Sequence, residues 1–352
     1  MAGAQAQVLS AAQLSIWARS KACRVQDLDS AIWKKKTLVR AWAMRRTMFL
    51  LPSGELALFA RGTAKRPEYN YRWALARVSS KQQLDRALDG VVDILSEPRS
   101  RNEIARLLQG RGYTMKLKAG GGWGDSRAVP WVEVGGKLIP VGFLLHAVAA
   151  RDVICSGPNV GNESTYVRAD RWVPKWRDVP QERAEEELLI RYLKAFGPAT
   201  MADFALWMGL YMRDVKEMWA GAAGKVAEVE IEGWKAAVLE SDLTELEKAK
   251  IESPTVKLLP NFDGFLLGHK SHRNIVDARN HKKVYRDQGW VSPVVLVDGR
   301  AVGVWSYKRV KEQLEVNVAP FARLHGAVAA KVREEAAGLG EFLGLSTVKT
   351  VV

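Results

Sequence analysis

Two neutral amides, Gln5 and Gln7, stand two residues apart just before the apolar-periodic run "VLSAAQLSIW", and the first charged side chain is Arg19. A primary amide offers a carbonyl oxygen that accepts hydrogen bonds and presents the negative end of a dipole. Two such oxygens could hold one water and stabilise positive charge developing in a transition state. The spacing sets a condition on the backbone. Residues i and i+2 lie about 200° apart around an α-helix but share a side in an extended chain. Convergence on one water therefore requires residues 4–7 to be non-helical, with the helix starting near Val8. Position alone favours a plainer reading, two exposed glutamines at a chain end.

Other clusters could also carry chemistry. His269 and His272, spaced i and i+3 with Asp263 nearby, have the residue types of a metal site but lack a third persuasive ligand. Together with Lys270 and Arg273 they equally suit polar contacts to DNA. Asp263, in "LPNFDGF", could tune a site electrostatically or cap a turn. Lys34, Lys35 and Lys36 close a helix and read either as a solvated face or as phosphate contacts. Arg45, Arg46 and Thr47 fall in an apolar stretch expected to be a strand, where alternation would turn one arginine inward and the other outward. Trp305 with Tyr307, Lys308 and Arg309 suggests a hairpin edge that either packs or meets nucleic acid. "AGGGWGDSR" at 119–127 lacks the strand, spacing and following helix of a dinucleotide fingerprint and reads as a flexible loop.

These groups need a scaffold, and composition bounds it. A chain of 352 residues with 47% hydrophobic and 26% charged residues is ordinary globular material, long enough for several cores. The apolar run "LIPVGFLLHAVAA" is shorter than a bilayer span and interrupted by Pro140 and His146. The N-terminus has no basic segment followed by an apolar core, and two distant cysteines, Cys23 and Cys155, suggest neither a disulfide framework nor a metal cluster. The expectation is a cytoplasmic, nucleoid-associated monomer with no cofactor and no membrane partner. The net charge of +14 points to a polyanionic partner. It is unevenly spread: residues 1–118 carry +13, 119–177 carry +2, 178–252 carry −7 and 253–352 carry +6.

One grammar recurs along the chain, helices followed by two strands. The clearest copy has helices in "QERAEEELLIRYLKAFG", "PATMADFALWMGL" capped at Thr200, and "YMRDVKEMWAGA", then two strands around Glu232-Gly233. A second copy runs through "KQQLDRALDGVVDILSE", "RSRNEIARLLQG" and "GFLLHAVAARDV" to two strands in "VICSGPNVGNESTYVRADRWV", with an insert at 111–137. The first copy is partial, lacking an expected leading helix. From residue 255 the pattern turns to strands, with Asp298-Gly299 as a hairpin signal and a helix in "GAVAAKVREEAAGLGEFLGL". This predicts an α+β chain of tandem winged helix-turn-helix domains followed by a small β domain and a C-terminal helix. The expected boundaries are 1–78, 79–177, 178–252 and 253–352.

In this order, "GAQAQ", "LVRAWAMRRTMFLLP", "VICSGPNVGNESTYVRADRWVP", "GPATMADFALWMGL", "LLPNFDGFLLGHKSHRNIV" and "PVVLVDGRAVGVWSYKR", the chain resembles the AlkZ and YcaQ kind of winged-helix DNA glycosylases over nearly its whole length. The resemblance implies removal of purines alkylated at N7, release of interstrand crosslinks by some members, and double-stranded DNA as partner. It also implies a catalytic motif of Gln, any residue, then Gln or Asp, which Gln5 and Gln7 match. An N7-alkylated guanine is already cationic and departs without an acid, so a placed water is what remains to be supplied. DNA contacts are expected from Lys34, Lys35, Arg45, Arg46, Thr47, His269, His272, Arg273, Trp305 and Lys308. The rivals are a non-catalytic winged-helix DNA-binding or regulatory protein and a metal-dependent hydrolase.

Overall fold

The computed structural model describes residues 2–20, 22–64, 69–119, 128–151, 153–174, 176–250 and 253–351. The chain opens with a short edge strand, β1 (Ala4–Gln5), followed by helix α1 (Leu9–Trp17) and helix α2 (Val25–Asp29), which runs into a π-helical turn at Ser30–Lys34. Strands β2 (Leu38–Trp42) and β3 (Met48–Pro52) form a hairpin, and helices α3 (Leu56–Gly62) and α4 (Tyr69–Leu75) lead away from it. "LVRAWAMRRTMFLLP" is thus two strands rather than the single strand expected. Arg45 and Arg46 both have positive φ, 54° and 56°, and reverse the chain between them.

The next stretch contains α5 (Lys81–Ile94), β4 (Arg99–Ser100), α6 (Arg101–Gln109), β5 (Met115–Ala119), β6 (Ala128–Val134), β7 (Lys137–Pro140) and α7 (Val141–Arg151). Strands β8 (Ile154–Val160) and β9 (Glu163–Arg168) then form a hairpin that ends in the short helix α8 (Ala169–Trp172). The insert at 111–137 is mostly sheet: β5, β6 and β7 pair in that order. Its glycine-rich centre, 120–127, lies outside the described residues.

Helices α9 (Gln181–Phe196), α10 (Met201–Met208) and α11 (Met212–Gly221) precede the hairpin of β10 (Val226–Ile231) and β11 (Trp234–Leu239), and α12 (Leu243–Lys248) follows. Local chemistry accounts for these limits. Thr200 and Asp203 form a reciprocal capping box at the start of α10, which stops at Gly209 in the left-handed conformation. Glu232 and Gly233 turn the hairpin, both with positive φ.

The C-terminal part holds β12 (Val256–Leu259), the short helices α13 (Gly264–Leu267) and α14 (His281–Val284), β13 (Val294–Val297), β14 (Arg300–Val310), β15 (Gln313–Pro320), helix α15 (Gly326–Leu343) and β16 (Thr347–Val351). The five strands pair in chain order, antiparallel except for β15 with β16. That last strand was not foreseen. The helix between β15 and β16 carries the chain back, which is the connection a parallel pair needs.

Two features of the tertiary arrangement position the N-terminus. First, the hairpins of the first two stretches merge into one six-stranded sheet, ordered β1-β3-β2-β8-β9-β4, with Ala41 opposite Cys155. Strand β1 is its edge, with Ala4 opposite Leu50 and Gln5 opposite Phe49. Second, α1 packs against the C-terminal part, where Leu14 and Trp17 join a core with Val332, Leu339 and Phe342 of α15. An ion pair reinforces this, between the exposed Arg19 and the fully buried Asp263, whose carboxylate takes two hydrogen bonds from Arg19 (2.8 and 2.7 Å), one from Ser15 Oγ (2.6 Å) and one from the Phe265 N–H. Asp263 therefore caps α13 and ties α1 to the C-terminal part, so of its two readings the turn cap is the one its hydrogen bonds satisfy.

Candidate active site

Ala4 and Gln5 form the edge strand, Gln7 and Val8 lie at a bend, and α1 begins at Leu9 with Val8 at its N-cap, so residues 4–7 are non-helical. Ala4 and Ala6 are buried against Ile32, Met48 and Leu50, whereas Gln5 is half-buried and Gln7 exposed. This alternation places both amides on the side away from that small core. Three contacts fix the segment. The Ala6 N–H donates to the Met48 carbonyl at 2.7 Å, continuing the β1–β3 pairing. Arg40 donates from Nε to the Ala6 carbonyl (2.9 Å) and from Nη2 to that of Gln7 (3.2 Å). Gly3, with φ of 89°, passes so close to β3 that an added Cβ would lie 2.7 Å from a Leu51 methyl.

The Gln5 side chain is held from the β2–β3 turn. Arg45 Nη2 donates to Gln5 Oε1 at 2.7 Å, while Nη1 of the same guanidinium donates to the Trp207 carbonyl at 2.8 Å. One planar fork thus joins the N-terminal strand to the end of α10. Burial pulls the Arg45 pKa down to about 10, which leaves it cationic at neutral pH. Gly209, just beyond that carbonyl, lies against the same arginine, where an added Cβ would stand 3.0 Å from Arg45 Cα. The amide oxygen keeps a second lone pair for a water, and its rotation about the side chain is restricted. Gln7 makes no side-chain hydrogen bond to the described residues, so its amide is open to solvent.

The sequence treats Arg45 as a DNA contact, and in the structure two of its N–H donors are engaged inside the protein. Nothing in "MRRT" marks it, because its role depends on a partner 162 positions away. Thr47 Oγ1 donates to the Met44 carbonyl within the turn. Arg46 is half-buried at the same turn. Lys34 ends the π-helical turn and Lys35 caps it, whereas Lys36 sits 3.7 Å from the Trp172 ring centre.

Trp305 requires a correction. Its indole is buried in the C-terminal core and donates to the Leu259 carbonyl at 2.8 Å, so it packs rather than facing a nucleic acid. The inward phase of β14 at that position is the reason. Lys308, farther along the strand, is exposed and pairs with Glu315 at 3.1 Å. His272 is half-buried. Its ring stacks on Tyr285 with centroids 3.6 Å apart, its Nδ1 faces His281 Nε2 at 3.2 Å, and burial beside His281 lowers its pKa to about 4. Among the described residues no three His, Cys, Asp or Glu side chains are placed to hold a metal ion.

His269 and Arg273 do come together. They border a cavity of about 620 Å³ between α10, the β10–β11 hairpin and the segment after α13, with Phe196, Trp234 and Phe265 among its walls. His269 Nε2 lies 3.3 Å from the Pro198 carbonyl, and the Lys270 N–H donates to Asp203. Neither Gln5 nor Gln7 lines this cavity.

The family model for AlkZ-like DNA glycosylases matches residues 1–342. The chain belongs to the AlkZ-like DNA glycosylase family. It is 32% identical over 360 residues to the interstrand DNA cross-link repair glycosylase of Streptomyces sahachiroi, a match spanning 98% of this chain and 90% of that one. Its fold is similar to the solved structure of the Streptomyces sahachiroi DNA glycosylase AlkZ, with a TM-score of 0.76, 28% identity, and 99% and 91% of the two chains covered. This glycosylase accordingly hydrolyses N-glycosidic bonds, and DNA is its partner. No helix among the described residues is long and apolar enough to cross a membrane.

Proposed function

We propose that this glycosylase removes cationic N7-alkylated purines from double-stranded DNA, with Gln5 and Gln7 positioning the attacking water. One observation carries the reading: burial of Ala4 and Ala6 leaves Gln5 and Gln7 both turned away from that core, and the Gln5 oxygen accepts a hydrogen bond from Arg45. In the reaction the water oxygen bonds to C1′ as the C1′–N9 bond breaks. The bonding pair leaves with the purine and cancels its positive charge. The water proton passes to bulk solvent, because an amide accepts a hydrogen bond without taking the proton. The products are a neutral alkylpurine and an abasic site, with no enzyme-bound intermediate, as in a monofunctional glycosylase.

Electrostatics agree with this assignment. Amide dipoles stabilise an oxocarbenium-like centre without the desolvation cost of a buried carboxylate. A leaving group that departs neutral needs no general acid. The Streptomyces relative is named for interstrand crosslinks, and crosslinks joined through guanine N7 present the same cationic leaving group, which extends the reading to them.

The scaffold we infer is three tandem winged-helix domains, 1–78, 79–177 and 178–252, followed by a β domain with its helix at 253–352. The order of helices and hairpin in α9 to β11 supports this, as do the β2–β3 and β8–β9 hairpins. Lys34 and Lys35 are then phosphate contacts, with Arg46, His269 and Arg273 as further polar contacts to DNA. The protein acts as a monomer in the cytoplasm, associated with the nucleoid.

The test is single-turnover release of N7-methylguanine from duplex by the Gln5→Ala, Gln7→Ala double variant. Loss of release with retained duplex binding is expected, and excision at the parent rate refutes the assignment.

A further inference from the structure

The surface beside Gln5 carries a feature that water activation does not use. Ten large hydrophobic side chains are exposed among the described residues, and three of them, Leu206, Tyr211 and Met212, fall within seven positions at the α10–α11 turn. Tyr211 is 55% exposed and Met212 41%. This turn is the one that Arg45 joins to Gln5, through the Trp207 carbonyl and the backbone contact at Gly209. The turn that bears the apolar side chains is therefore tied to the candidate water site through Arg45.

Charge at the turn also departs from its surroundings. Residues 178–252 carry a net −7. From 201 to 217, however, the carboxylates Asp203 and Asp214 are both buried, and the exposed charges are Arg213, Lys216 and Glu217. Asp203 is consumed by the capping box and the Lys270 N–H, and Asp214 lies 3.1 Å from Arg213 Nε. An apolar tip with Arg213 directly beside it, less acidic than the stretch around it, suits a polyanion whose interior is a stack of aromatic rings. Turning a nucleotide out of a duplex leaves a gap between base pairs, and apolar side chains entering such a gap offset the lost stacking.

We propose that Tyr211, backed by Met212, enters the base stack and fills the space left when the damaged nucleotide is turned out toward Gln5. The assignment rests on the reading of Gln5 and Gln7 as the water site, since proximity to them gives the turn its role. The Tyr211 ring has few internal degrees of freedom to lose on insertion and an aromatic face for the neighbouring base. The left-handed Gly209 and the Arg45 fork anchor the turn on the β2–β3 hairpin, so the tip is presented from a fixed base.

The test uses the full chain on a duplex holding a tetrahydrofuran abasic analogue with 2-aminopurine as its neighbour. An inserted side chain unstacks the 2-aminopurine and raises its fluorescence. The Tyr211→Ala, Met212→Ala double variant is expected to lose that rise while keeping its melting temperature and its affinity for undamaged duplex. It is also expected to excise N7-methylguanine roughly tenfold or more slowly, the scale of one lost base–aromatic stack. Tyr211→Phe keeps the ring and should keep both signals, as should Leu246→Ala, an exposed apolar residue elsewhere. A full fluorescence rise in the double variant overturns the proposal. So does an equal loss of affinity for undamaged duplex, which would make the tip a general docking surface. The Gln5→Ala, Gln7→Ala variant should retain the rise; if it also still excised, the water-site reading would fail while the fluorescence still judged the tip.

Discussion

Replacing Arg45 with Met separates positioning from stability. The guanidinium makes two short hydrogen bonds, to Gln5 Oε1 and the Trp207 carbonyl. Bonds from a charged donor contribute about 1.5–3 kcal/mol each, or roughly 3–6 kcal/mol together. Against this, burial pulls the guanidinium pKa down to about 10, which corresponds to about 3 kcal/mol disfavouring the cation. The unfolded chain holds this proton more tightly, so burial of the charge lowers stability at every pH below about 10, and the cost is relieved as pH rises above about 10. The cost cancels half or more of the gain, leaving roughly 0–3 kcal/mol, and Met refills much of the volume with apolar atoms. Thermal unfolding should therefore shift by only a few degrees. Catalysis has no such compensation, because Gln5 loses the donor that orients it, and a displacement of about 1 Å can reduce rate on the order of 100-fold. Arg45→Lys keeps the charge but cannot bridge both acceptors, so it should recover only part of the rate. The assay is single-turnover excision of N7-methylguanine alongside a thermal melt. Excision at the parent rate by a folded Arg45→Met protein would refute the positioning argument.

Two further outcomes are expected. Asp263→Ala removes the acceptor of four hydrogen bonds and leaves the buried Ser15 hydroxyl and the Phe265 N–H without it, so chemical denaturation should show a loss of roughly 2–4 kcal/mol, the exposed Arg19 being resolvated. The His272 pKa lies near 4 rather than the ordinary 6.5, so its neutral form contributes stability that is full above about 6.5 and lost as pH falls toward 4. Urea unfolding at pH 7 and pH 4.5 should show a steeper acid decline for the parent than for His272→Phe.

Much of this protein is legible in short windows of sequence. The Thr200 cap, the Glu232-Gly233 and Asp298-Gly299 turns and the amphipathic α5 and α9 arise from interactions spanning only a few residues, so the local pattern is enough. The non-helical form of residues 4–7 was accessible for a similar reason, since a helix would turn amides two apart to different sides. The β2–β3 turn was not, because the apolar run on both sides of Arg45 and Arg46 reads as continuous and no glycine or proline marks the reversal. Trp305 was misread because inward and outward phases of a strand carrying both apolar and basic residues differ by a single position.

The sequence by itself determined that the chain is basic, α+β in class, built from repeated helix-then-hairpin stretches, and equipped with paired amides at its start. Tertiary structure alone decided how those amides are held: an edge strand completed by a distant hairpin, a helix bolted to the C-terminal part through Asp263, and an arginine shared between Gln5 and Trp207. The physical reason is range. Capping, turn formation and periodic burial act between neighbours, whereas the hydrogen bonds that orient Gln5 and the packing that presents Tyr211 join residues far apart in the chain.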